Sequence, residues 1–172
     1  MNRIIVIGCP GAGKSTFSRA LHAAVGIPLY YLDMLYWNPD RTHISREAFS
    51  LLLTKIMHQP QWILDGNYQS TLELRMQSCD TVIFLDLPAE ICLQGIRSRR
   101  GRPRPDMPWT ESSDEEDPVF SSFVQNFHTQ CRPQILTLLE TYSYKNIYRF
   151  TNRDETEAFL KQIHNHGGSY AD

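Results

Sequence analysis

Residues 8–15 read Gly8-Cys9-Pro10-Gly11-Ala12-Gly13-Lys14-Ser15, and their setting narrows the fold more than any other feature of the chain. Before them stands Arg3-Ile4-Ile5-Val6-Ile7, a β-branched run that predicts a strand ending at Gly8. After them a helical pattern opens, with Phe17, Ala20, Leu21 and Ala24 on one face. A glycine, four residues and then Gly-Lys-Ser between a strand and a helix is the pattern of a phosphate-binding loop. The glycines let the backbone turn tightly and aim successive N–H groups at one anion. Lys14 sets a compact positive charge among the outer phosphates of a nucleotide. Ser15 offers a hydroxyl to Mg²⁺, and the helix start turns its positive end toward the phosphates. Gly8, Cys9, Pro10, Gly11, Ala12, Gly13, Lys14, Ser15 and Thr16 are therefore the candidate nucleotide-binding residues.

Strands and helices alternate from there on. Strands are expected at 28–32, 61–64, 81–85 and 145–150. Helices are expected from Ser45 as N-cap to about 58, over 70–77, from Pro88 to about 99, over 119–142 with a kink at Pro133, and over 154–163. Five strands alternating with helices predict an α/β fold, a five-stranded parallel sheet with helices on both faces. Ligands of such sheets sit beyond the carboxyl ends of the strands, and Gly8, Asp33, Asp65 and Asp86 all follow strands directly.

The 172 residues suit a single domain over 1–172. A formal net charge of −2 gives no global case for nucleic-acid binding. No apolar run approaches the roughly 20 residues of a membrane span. The first strand starts too early for a secretory signal, and Cys9, Cys79, Cys92 and Cys131 show no paired spacing, so reduced cysteines in a cytoplasmic protein are expected. Cys9 reads as a small residue in a tight loop. His164 and His166 read as part of a solvated tail over 164–172 rather than as a metal site.

Asp65 closes an apolar strand where a phosphate loop needs a carboxylate on the metal side, so Ser15 and Asp65 are the candidate Mg²⁺ residues. Asp86 reads instead as a cap for the helix after it. Five arginines stand within eight positions at Arg97, Arg99, Arg100, Arg102 and Arg104, in a Gly/Pro-rich segment with no core pattern. Phosphoryl transfer spreads charge over equatorial oxygens that arginine meets with paired donors, and water must be kept out. Residues of about 100–118 are therefore expected to form a mobile lid. Lys14, Arg99 and Arg104 are the candidate catalytic groups, and the lid arginines are expected to approach the phosphates only when nucleotide and acceptor are both bound. The acidic run Glu111, Asp114, Glu115, Glu116 and Asp117 would neutralise an open lid and repel nucleic acid.

The loop, the Asp65-Gly66 after the third strand and the arginine lid resemble the nucleoside-monophosphate-kinase group, of which adenylate kinase is a member. Trp62-Ile63-Leu64-Asp65-Gly66-Asn67-Tyr68, Val82-Ile83-Phe84-Leu85-Asp86-Leu87-Pro88 and Gly101-Arg102-Pro103-Arg104-Pro105-Asp106-Met107 are more closely similar to a bacterial adenylate-kinase-related branch named for DNA topology modulation. The resemblance implies ATP with Mg²⁺ as cofactors, a small phosphate acceptor, Lys14 on the phosphates, Ser15 on the metal and Arg99 in the lid. Two positions depart from adenylate kinases. Asn67-Tyr68 stand where an aromatic, a proline and an arginine follow Asp-Gly, and Gly95 stands where an arginine stacks on adenine.

The acceptor site is expected between Asp33, the helix from Ser45 and the 65–75 segment, with Asp33, Arg46, Asn67, Tyr68 and Arg75 as candidate substrate-binding residues. A phosphate acceptor would use Arg46 and Arg75. A hydroxyl acceptor would use Asp33 as base. Trp37 and Tyr68 either stack on a base or sugar or simply pack. The sequence therefore reads as an ATP-dependent phosphotransferase with a nucleotide-like acceptor and no membrane partner. The alternatives are an ATP-binding regulatory protein without fast transfer and a kinase of small hydroxyl metabolites.

Overall fold

The computed structural model describes residues 1–110 and 118–167. The acidic run over 111–117 and the end of the expected tail, 168–172, lie outside the described residues. Five strands form one all-parallel sheet: β1 Arg3–Gly8, β2 Leu29–Tyr31, β3 Trp62–Asp65, β4 Thr81–Leu85 and β5 Asn146–Phe150. Their order is β2-β3-β1-β4-β5. The chain thus leaves the central β1 for one edge, returns through β3, and crosses to the other side. All residues of β3 and β4, and all of β1 after Arg3, are buried. Successive strand side chains point to opposite faces, so burial of every one means that both faces are covered.

The helices are α1 Lys14–Val25, α2 Leu32–Tyr36, α3 Arg46–Met57, α4 Leu72–Ser78, α5 Ala89–Arg99, α6 Pro118–Gln130, α7 Arg132–Thr141 and α8 Arg153–Gly167. Helix α1 packs on α8 through Phe17, whose ring stacks on Phe159 and tilts against Phe150. Its core stripe keeps Phe17 and Leu21 from the expected face but takes Ser18, while Ala20 faces out and Ala24 is half-buried. Ser45 caps α3 as expected, accepting from the backbone N–H of Ala48 at 3.1 Å.

Four local expectations change. Residues 164–167, expected to begin the tail, continue α8. The expected 119–142 helix is broken, not kinked: α6 ends at Gln130 and α7 restarts at Arg132, with Pro133 in its first turn, where its missing N–H costs no helical bond. Asp33 does not end β2. It lies in the first turn of α2, where a carboxylate suits the helix dipole. Asp86 caps nothing. The residue before α5 is Pro88, with no side-chain cap, and the buried Asp86 carboxylate accepts from Arg132 Nε at 2.8 Å and Arg149 Nε at 2.8 Å. It ties β4 to α7 and β5, because a buried carboxylate requires such partners.

Candidate active site

The carboxyl ends of β1 and β3 are neighbours, with Val6 in register with Asp65 and Tyr31 of β2 also beside Asp65. This edge opens into one cavity of about 1000 Å³, lined among others by Lys14, Ser15, Asp33, Asp65, Arg99 and Arg104. Residues predicted from distant parts of the chain therefore meet in one place. Pro10, Asn67 and Tyr68 line it as well.

The phosphate loop packs against α5. A Cβ built at Gly11 would lie 2.0 Å from the Cys92 carbonyl oxygen, and one at Gly95 would lie 2.1 Å from that of Gly11. Two glycines thus let helix and loop touch backbone to backbone. This gives Gly95 a physical reason: no side chain fits there, so nothing from this position reaches a base. Gly95→Ala is expected to cost about 1–3 kcal/mol through overpacking and to weaken ATP binding by displacing the loop. Urea unfolding and nucleotide titration check it. Cys9 turns inward, its buried thiol 3.8 Å from the Val124 carbonyl oxygen beside Cys92. It fills space under the loop.

Lys14 Nζ lies over its own loop, donating to the carbonyl oxygens of Gly8 at 3.0 Å and Cys9 at 3.1 Å. Gly13 precedes α1 with φ 94° and no side-chain cap, so the first N–H groups of the helix keep their capacity for an anion. Thr16, at the exposed start of the helix, accepts from Arg19 at 3.3 Å.

Asp65 is 4 % exposed and its Oδ1 has no hydrogen-bond partner among the described residues. Burial pushes its carboxyl up to about 7, against the opposing pull of the Lys14 charge. A buried, unsatisfied carboxylate oxygen near a serine hydroxyl is a hard-oxygen donor set that fits Mg²⁺. Among the described residues no three His, Cys, Asp or Glu side chains are grouped so that they could hold a metal ion by themselves.

Elsewhere in the cavity lining, Asp33 accepts from the Tyr68 hydroxyl at 2.7 Å. Burial raises its carboxyl above the ordinary range, opposed by the Tyr68 hydrogen bond and by Lys14. Tyr68 has φ 23°, a strained value for a tyrosine. Arg75 holds that conformation. It is fully buried and donates to the carbonyl oxygens of Gly66 at 2.9 Å, Asn67 at 2.7 Å and Tyr68 at 3.0 Å. Arg75 and Arg46 were expected to bind the acceptor, and neither lines the cavity. Arg75 is spent on the backbone that carries Asn67 and Tyr68, and Arg46 is exposed at the start of α3. Arg75→Ala is expected to cost about 3 kcal/mol of stability, because three carbonyls lose charge-assisted bonds. Arg46→Ala should stay within about 0.5 kcal/mol. Chemical unfolding of both variants checks the contrast.

Of the five clustered arginines, Arg99, Arg100 and Arg104 line the cavity, while Arg97 and Arg102 are exposed. The described part of the expected lid does not lie apart from the loop. Asp106 seats it there, accepting from Ser15 Oγ at 2.9 Å.

Sequence reading missed Asp106, Arg41 and Trp109 as site residues. Trp109 meets Trp37 edge to face at 5.7 Å, and the Arg41 guanidinium lies 5.9 Å from the Trp109 ring centre. Trp37, Tyr68 and Trp109 are aromatic members of the cavity lining. An aromatic and a lone acid inside a segment without core periodicity were the available signals.

The sheet order, loop and cavity define a P-loop kinase fold. Solved structures that share it include shikimate kinase from Acinetobacter baumannii in complex with shikimate (TM-score 0.62, 17% identity, 95% of this chain and 90% of that one) and shikimate kinase from Bacteroides thetaiotaomicron (TM-score 0.57, 17% identity, 95% of this chain and 97% of that one). Likeness at such identity carries the fold alone. No protein-family model matches the chain, and no curated protein matches it. No helix among the described residues is long and apolar enough to cross a membrane.

Proposed function

We propose that the protein is an ATP- and Mg²⁺-dependent phosphotransferase acting on a small, nucleotide-like acceptor. The observation that carries this reading is the meeting of Lys14, Ser15 and Asp65 with Arg99, Arg104 and Asp33 around one cavity. The open start of α1 and Lys14 receive the outer phosphates. Ser15 and Asp65 would hold Mg²⁺, which when bound offsets charge on those phosphates. Arg99 and Arg104 meet the charge that develops on the transferring group, and the lid excludes water. Trp37, Tyr68 and Trp109 take a flat ring of the acceptor by stacking.

One observation favours a hydroxyl as the attacking group. Asp33 lies in the cavity, while the two arginines expected for an acceptor phosphate lie outside its lining. A carboxylate whose affinity for protons is raised by burial is the better base. A screen of nucleosides, nucleoside monophosphates and small hydroxyl metabolites for stimulation of ADP release tests both readings. Stimulation by a nucleoside supports the hydroxyl route, and stimulation by monophosphates alone supports the phosphate route. ATP binding with no acceptor-stimulated turnover in the whole panel would favour a regulatory protein and overturn the proposal. Nucleic acid has no part in this reading.

A further inference from the structure

Asp106 is the one acidic side chain in the arginine-rich stretch of 97–110, and it is 6 % exposed. A carboxylate is buried that deeply only where donors replace water. Its donors come from two sides. From α1, Ser15 Oγ donates to Asp106 Oδ2 at 2.9 Å, and Arg19 NH1 lies 3.9 Å from Oδ1. Ser15 and Arg19 are four residues apart and share a helix face. From the lid, Arg104 NH2 donates to the same Oδ2 at 3.0 Å. A single oxygen therefore joins the hydroxyl on the metal side of the phosphate loop to an arginine on the lid.

This contact has a chemical consequence for Ser15. A hydroxyl has one proton and two lone pairs. With the proton committed to Asp106, both lone pairs are available to a cation. The neighbouring Asp65 Oδ1, buried and without a hydrogen-bond partner among the described residues, is the second oxygen on that side. If the lid lifted, Asp106 would return to water and Ser15 would lose the acceptor that fixes its proton. Arg104 would leave with the same movement.

We propose that Asp106 is a positioning residue that makes lid closure and divalent-cation binding one linked event, by holding the Ser15 proton and Arg104 on a single carboxylate oxygen. This rests on the phosphotransferase reading of the site. Linkage is reciprocal: if the closed lid favours the cation, the cation favours the closed lid by the same factor. The lid arginine would then be delivered when Mg²⁺ and nucleotide are both in place, which protects the nucleotide from idle hydrolysis.

The test uses the full chain and a non-hydrolysable ATP analogue with an imido β,γ bridge, so that no turnover is needed. Calorimetry measures the analogue's affinity with Mg²⁺ and with chelator, and the ratio is the Mg²⁺ enhancement. Tryptophan fluorescence, to which Trp109 of the lid contributes, follows closure in the same titrations. In Asp106→Ala the enhancement is expected to fall on the order of 10-fold relative to wild type, and the Mg²⁺-dependent part of the fluorescence change to fall with it. Affinity in chelator should change little. Asp106→Asn should fall between the two, since its amide oxygen still accepts from Ser15 but carries no charge for Arg104. It also supplies the answer should the alanine variant fail to fold.

An unchanged enhancement in a folded variant overturns the proposal and leaves the phosphotransferase reading standing. So does tighter binding by the same factor with and without Mg²⁺, because Asp106 would then be a competitor that nucleotide must displace from Ser15 and Arg104. A wild-type protein whose affinity ignores Mg²⁺ overturns both.

Discussion

Replacing Lys14 with alanine is expected to reduce phosphoryl transfer on the order of 10²-fold or more while leaving a folded protein. Lys14 supplies the one ammonium of the phosphate loop, and charge on the outer oxygens grows as the γ-phosphoryl group moves. A preorganised cation in a site that excludes water acts mainly on that growing charge, which is why removal of a single such group has effects of this size. Folding should survive. Lys14 Nζ donates to the carbonyl oxygens of Gly8 and Cys9, but it is half-buried in the lining of an open cavity, where water can replace it. Steady-state kinetics with circular dichroism and thermal melting check the claim. The loss should appear in kcat as well as in kcat/KM, because the interaction strengthens in the transition state. Near-normal turnover by a folded Lys14→Ala protein would remove the phosphate loop from the chemistry.

Asp33→Asn is expected to have the next largest effect if the acceptor attacks through a hydroxyl, lowering kcat by about 10²–10⁴-fold with ATP affinity unchanged. The amide keeps the shape and can still accept from Tyr68, but it takes no proton. The pH profile carries a second signature. A base works ionised, and burial raises the Asp33 carboxyl. Activity of the wild type should therefore rise with pH along a limb displaced from the ordinary carboxylate range toward neutrality, and the variant should lose that limb. A mild Asp33→Asn defect with the limb intact would return the acceptor to the phosphate class. Arg41 and Arg100, which line the cavity, would then be the next variants to examine.

The sheet was legible in the sequence because its central strands β1 and β4 are short β-branched runs set between helical patterns. Parallel strands buried on both faces leave that plain signal. The phosphate loop was legible because its chemistry is local: Gly8 to Ser15 make the site from contiguous residues. Asp65 and the lid arginines followed from what such a loop needs around it. The roles of the other arginines were not legible. A guanidinium in a sequence looks the same whether it meets a ligand or a run of carbonyls, and only the path of 66–68 around Arg75 separates the two. Asp86 was misread for a similar reason. Its partners, Arg132 and Arg149, lie 46 and 63 residues away. Asp106 was passed over because a single acid among arginines reads as charge balance until Ser15 is seen beside it. Gly95 looked like a missing arginine, and its reason became visible only in the approach of α5 to Gly11.

Transfer of a phosphoryl group to a small acceptor is read most plainly by following the label from ATP. The protein is incubated with γ-³²P-ATP, Mg²⁺ and each acceptor of the panel, and the products are separated. Label is expected on one class of flat-ringed acceptor, in step with ADP formation, absent without Mg²⁺ and abolished in Lys14→Ala. Tight Mg²⁺-ATP binding with label appearing only as inorganic phosphate, whatever the acceptor, would contradict it.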